Sequence, residues 1–174
     1  MKKQNFLIKL FNEKKLQLVE PNEEVCKAYL EKSEKSLRSA KATLDIGSYE
    51  DSVTLSYYSM YYLVLALFFK TGIKSENHTA SIILLKEIFG IDNDVLTKAK
   101  SERIDKQYYV DFSVTKKDVE EMIRIAEHFN LEMFNFIERL NKDDIKTYQI
   151  KAKNILRFKN PSWRKQKESS WWAV

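Results

Sequence analysis

Three glycines and two prolines are all that punctuate these 174 residues. A sandwich or barrel draws on such residues at nearly every turn, so their scarcity selects long helices joined by few loops. Position supports the same reading. Gly47, Gly72 and Gly90 each follow an apolar run, where a left-handed residue closes a helix. With 44% hydrophobic residues the chain can fill one core, and its length is that of one domain.

Between the first two of these stops, Ser52 to Phe69 contains no charged residue. A run of that length has to be tested as a membrane span. Hydroxyls at Ser52, Thr54, Ser56, Tyr57, Tyr58, Ser59, Tyr61 and Tyr62 would all need partners in hydrocarbon. The run is therefore expected to be the central helix of a bundle, with no membrane association.

The remaining pattern supplies its neighbours. Phe6, Leu7, Leu10 and Phe11 predict a short leading helix within Phe6 to Val19, stopped by Pro21. Asn22 with Glu23 and Glu24 opens a second helix to about Ile46, with Val25, Tyr29, Ser33, Leu37, Ala40 and Leu44 on one stripe. Its small residues permit close approach of a neighbour. Ser48 with Asp51 predicts a capping box for the central helix. A polar connection, Lys74 to Thr79, leads to a short apolar helix from Ile82 to Phe89, and Asp92-Asn93-Asp94 can cap another. Thr115 with Asp118 predicts a second box. It launches the longest amphipathic pattern: Val119, Met122, Ile123, Ala126, Phe129, Met133, Phe134, Ile137 and Leu140. The expected fold is all-α, an up-down bundle of four to five helices with a short leading helix and a basic C-terminal appendage.

Charge marks where that appendage begins. Of the net +5, the segment from Ile145 to Val174 holds eight Lys or Arg against Glu168, leaving −2 for the preceding 144 residues. The domain is thus expected over 1–145 and a basic tail with Trp163, Trp171 and Trp172 over 146–174. The tail's Pro161 interrupts helix, and its tryptophans beside Lys165 and Lys167 suit bases or a protein surface. A lone cysteine, Cys26, forms no internal disulfide and seeds no zinc site, which points to a reducing, cytoplasmic compartment. The early charges Lys9, Glu13, Lys14 and Lys15 break any apolar run that a signal peptide needs.

No glycine-rich phosphate loop, nucleophile elbow or paired metal-ligand histidines occur, so no cofactor and no metal are expected. His128 reads as a boundary residue of the last helix. His78, beside Asn77 and Thr79 at a helix start, is either part of a local cap or a catalytic candidate. The other candidate is the stretch Arg103-Ile104-Asp105-Lys106-Gln107-Tyr108-Tyr109. Arg103 can fork onto a phosphate, Asp105 can orient it, Lys106 adds charge, and Tyr108 and Tyr109 can stack on a base. The alternative for this stretch is a solvated helix end with its tyrosines folded onto the core.

Taken in order, Tyr57-Tyr58-Ser59-Met60-Tyr61-Tyr62, the Gly72-Ile73-Lys74-Ser75 turn with His78, Arg103 to Tyr109, and the Val114-Thr115 start of a long helix resemble the HEPN superfamily, from about Asn22 to Leu140. The resemblance implies a four- or five-helix bundle that commonly dimerises and is often encoded beside a minimal nucleotidyltransferase, as a toxin-antitoxin or nucleotide-sensing pair. Several such proteins are metal-independent ribonucleases, whose signature is an Arg followed, after four to six residues, by a His. Arg103 matches the Arg, but Tyr108, Tyr109 and Val110 stand where the His falls. An ordinary Tyr holds only about one part in a thousand as base at pH 7. His78 is the residue that would have to replace the missing base.

Three functions follow as expectations. The first is a homodimeric module that binds RNA or a nucleotide through Arg103, Lys106 and Tyr108 and works with a nucleotidyltransferase partner. The second is a metal-independent endoribonuclease using Arg103 with His78 or a tyrosine. The third is a structural interaction protein without ligand.

Overall fold

The computed structural model describes residues 2–108 and 114–157. Seven helices and a two-stranded sheet occupy them, in the order α1 (Lys2–Asn12), β1 (Leu16–Leu18), α2 (Glu23–Asp45), α3 (Tyr49–Thr71), β2 (Ile73–Ser75), α4 (His78–Phe89), α5 (Asp94–Tyr108), α6 (Lys116–Arg139) and α7 (Lys142–Arg157). The chain is all-α with one small sheet.

The uncharged run is the axis of the bundle. α2, α5, α6 and α7 pack on α3, and Val53, Tyr57, Met60, Val64, Leu67 and Phe68 are fully buried. α3 is long and apolar enough to cross a membrane, yet 72% of its apolar window is buried inside the bundle. Packing on all sides explains the missing charge. Two buried serines, one on each helix, lock α2 against it. Ser52 Oγ donates to the Ala40 carbonyl at 2.7 Å, and Ser33 Oγ to the Ser59 carbonyl at 2.7 Å. The small residues Ser33 and Ala40 allow this approach, and the hydrogen bonds fix its register.

Helix ends follow local chemistry. Asn22 accepts from the Val25 amide at 2.9 Å, and Thr115 and Asp118 close the reciprocal box at α6. Gly72 and Gly90 are left-handed C-caps, with φ of +79° and +71°. Ser48 departs from expectation. Its hydroxyl bonds the Asp51 carboxylate at 2.6 Å and makes no bond to the helix backbone, because its φ of −83° and ψ of 74° are not the extended cap conformation.

Other expectations need correction. The leading helix stops at Asn12, and Lys14, at φ +58°, turns the chain so that Leu16–Leu18 pairs antiparallel with Ile73–Ser75. The polar connection after Gly72 thus contains an edge-paired strand. Phe134 lies off the α6 stripe and is 40% exposed. The bundle also continues beyond 145. α7 buries Ala152 and Leu156 and rests Tyr148 on Phe89, ring centroids 4.7 Å apart. Its apolar side was hard to read because exposed lysines alternate with it. The tail tryptophans Trp163, Trp171 and Trp172 lie outside the described residues.

Candidate functional site

The site grows from α3. Residues four apart share a helix face, so the four tyrosines form two pairs, Tyr57 with Tyr61 and Tyr58 with Tyr62, at centroid spacings of 5.9 and 5.7 Å. α4 starts against the first pair. Asn77 caps it by accepting from the Ala80 amide at 2.9 Å, which leaves His78 as its first residue. The imidazole stacks on the Tyr61 ring with centroids 3.9 Å apart at 11°, and its Nδ1 lies 2.6 Å from the Tyr57 hydroxyl.

α5 brings the cations. Arg103 Nη1 donates to the Tyr58 hydroxyl at 3.2 Å, and the guanidinium carbon lies 5.3 Å from the Tyr57 centroid and 5.6 Å from that of Tyr58. Both rings contribute cation–π attraction. One turn earlier, Lys100 Nζ donates to Thr79 Oγ1 at 2.6 Å, tying α5 to the start of α4. Among the described residues, the buried Arg103 Nε has no hydrogen-bond partner.

These surroundings set the protonation states. Burial, then Arg103 and Lys100, push His78 down to about 4. Burial raises Tyr57, takes Tyr61 up to about 12, and with Arg103 lowers Lys100. At neutral pH the imidazole is therefore neutral and both phenols keep their protons. Among the described residues, His78 is the one hydrogen-bond partner of the Tyr57 hydroxyl. If that hydroxyl donates to Nδ1, both groups are satisfied and the ring proton resides on Nε2, an assignment made from the network. The arrangement then offers donors and positive charge: Arg103 Nε, Lys100 and His78 Nε2–H. It suits an anion. It does not present a free imidazole lone pair, as general-base catalysis requires. Among the described residues, no three His, Cys, Asp or Glu side chains gather to hold a metal.

Arg103 and His78, separate candidates in the sequence, belong to one constellation. The side chains of Asp105, Lys106 and Tyr108, in the last turns of α5, lie outside the described residues, as does Tyr109 altogether. Among the described residues, Tyr58 holds Arg103 by accepting its hydrogen bond. Sequence reasoning missed Tyr57, Tyr58, Tyr61, Thr79 and Lys100 as parts of the site. The available signal was the pair of i,i+4 tyrosine couples inside an uncharged helix. His128 is an exposed residue of α6, 3.6 Å from Glu132.

No curated protein matches the chain at a significant level. The family model described as HEPN domain matches residues 26–147, from early α2 into α7 and across every side chain of this site. That is well over half of the 174 residues, and the chain belongs to the HEPN domain family.

Proposed function

We propose that this HEPN-domain protein binds the phosphate of RNA or of a nucleotide at the Arg103 site, as one half of a cytoplasmic toxin-antitoxin or nucleotide-sensing module whose other half is a minimal nucleotidyltransferase. The observation that carries the reading is the state of Arg103. Its guanidinium is held by Tyr58 and two aromatic faces, while Nε is buried without a described partner. A buried donor left unmade costs about 1–3 kcal/mol, and an anion that accepted its hydrogen bond would recover that cost. Lys100 adds charge on the adjacent turn.

The same site favours binding over cleavage. His78 stands beside Arg103 and in that sense supplies the imidazole absent from the family's Arg-to-His signature. That proximity favours a second reading, a metal-independent endoribonuclease. Yet an imidazole held near 4 is a weak base at neutral pH, and its Nδ1 is already engaged by Tyr57. Homodimerisation belongs to the proposal on the strength of apolar side chains left outside the core, Leu131 and Phe134 on α6 among them.

The test is a titration of wild type, Arg103→Ala and Arg103→Lys against short RNA and ATP at fixed salt, with a parallel RNA cleavage assay in EDTA. Arg103→Ala should lose roughly 1.5–3 kcal/mol of binding, the range for a hydrogen bond to a charged group. Arg103→Lys should recover only part, because charge returns without the fork. Equal binding by wild type and Arg103→Ala puts the ligand elsewhere. Cleavage in EDTA overturns the preference for binding and makes His78→Ala the next variant.

A further inference from the structure

The two ends of the chain carry its positive charge. Residues 1–19 hold five Lys against Glu13, and residues 148–174 hold seven Lys or Arg against Glu168. The 128 residues between them hold 18 basic and 23 acidic side chains, a net −5. In sequence these basic segments stand at opposite ends. In the fold α1 packs directly on α7, so the outward faces of these two helices adjoin; the residues after Arg157 lie outside the described ones.

The outward side chains are cationic. On α7, Lys142, Lys146, Ile150 and Lys153 follow one another at helical spacing and are all exposed. On α1, Lys3 and Lys9 are exposed while Leu7 and Leu10 enter the core. The acids of these segments are engaged. Glu13 pairs with Lys15 and Lys9 at 2.9 and 3.8 Å, Asp143 with Lys146 at 3.8 Å, and Asp144, also in the first turn of α7, accepts from the Asn141 amide at 3.0 Å. Among the described residues, Lys3, Lys142 and Lys153 have no acidic partner within ion-pair distance.

We infer that the joined outer faces of α1 and α7 form a nucleic-acid backbone surface, separate from the Arg103 site and lying largely outside the family-matched segment. Charge complementarity identifies the occupant as a polyanion. An anionic lipid surface would meet the same charge, but insertion needs an apolar stripe. α7 turns Ala152 and Leu156 into the core, and among the described residues of these two helices Ile150, 58% exposed, is the one exposed large apolar side chain. A phosphate backbone needs no such stripe. The inference holds whether or not Arg103 binds a ligand, because the two sites share no residue.

The experiment measures affinity of the full chain for a single-stranded RNA oligonucleotide by fluorescence anisotropy across a salt series. The proteins are wild type, Lys3/Lys142/Lys153→Gln, the corresponding triple Arg variant, and Arg103→Ala. These three lysines are exposed, so the fold should survive, and circular dichroism checks it. For single strands each lost phosphate contact lowers the slope of log K against log salt by about 0.7, so the Gln variant should be shallower by about 2. The Arg variant should keep the wild-type slope, and Arg103→Ala, which removes at most the one phosphate contact of the other site, should be shallower by no more than about 0.7. A Gln variant with wild-type slope and affinity overturns the inference, whatever Arg103→Ala does. So does a wild type that binds anionic phospholipid vesicles and not RNA, or that binds neither.

Discussion

Replacing His78 by Phe isolates the electrostatic strain at the site. Phe retains a flat ring against Tyr61 and cannot titrate. In the folded chain His78 is held near 4, against an ordinary value of 6.5 in the unfolded chain. The unfolded state therefore takes up a proton first as pH falls. Stability contributed by keeping His78 neutral is fully present above about 6.5, declines below it, and is lost by about 4. A difference of 2.5 pH units at 1.36 kcal/mol each bounds the effect near 3 kcal/mol, and solvent screening at this half-buried ring reduces it to roughly 2 kcal/mol. Loss of the Tyr57 hydrogen bond adds an offset that does not vary with pH. Urea unfolding of both proteins between pH 7.5 and 4.5 gives the comparison, and subtraction cancels the carboxylates common to both. The stability advantage of wild type over His78→Phe should shrink on acidification by about that amount. Parallel curves would refute the burial and the Arg103–Lys100 field as the cause.

Arg103→Ala removes one of the charges that depress His78, so the histidine's midpoint, followed by proton NMR, should move upward; an unchanged midpoint would disconnect the two residues. Gly72→Ala should cost more than Gly90→Ala in thermal unfolding. Both sites are left-handed, a cost of about 1–2 kcal/mol for a non-glycine residue, but a Cβ at Gly72 would come within 2.5 Å of the Val19 carbonyl, while at Gly90 it meets nothing within 4 Å. Leu156→Ala should destabilise by about 2–5 kcal/mol as a buried residue of α7, whereas deletion after Asn160 should leave the melting temperature nearly unchanged. Light scattering at micromolar concentration should give the mass of a dimer.

The sequence by itself determined most of the helices and their stops, and the central place of α3, because these depend on local quantities. Glycine at a C-cap, Asn22 and Thr115 at N-caps, and the α6 periodicity act over one or two turns of chain. An uncharged run can be stable only where neighbours cover it on every side. The same locality explains what sequence reasoning missed. Leu16–Leu18 becomes a strand only because Ile73–Ser75 lies beside it, and α7 joins the bundle because the core has room for Ala152 and Leu156. At the site, Arg103 was legible as a phosphate donor from its chemistry. Its tie to Tyr58, 45 positions away, and the His78 bond to Tyr57, 21 positions away, were not. Only the crossing of α3, α4 and α5 brings those groups together, and that shared burial turns separate polar residues into one neutral histidine flanked by two cations.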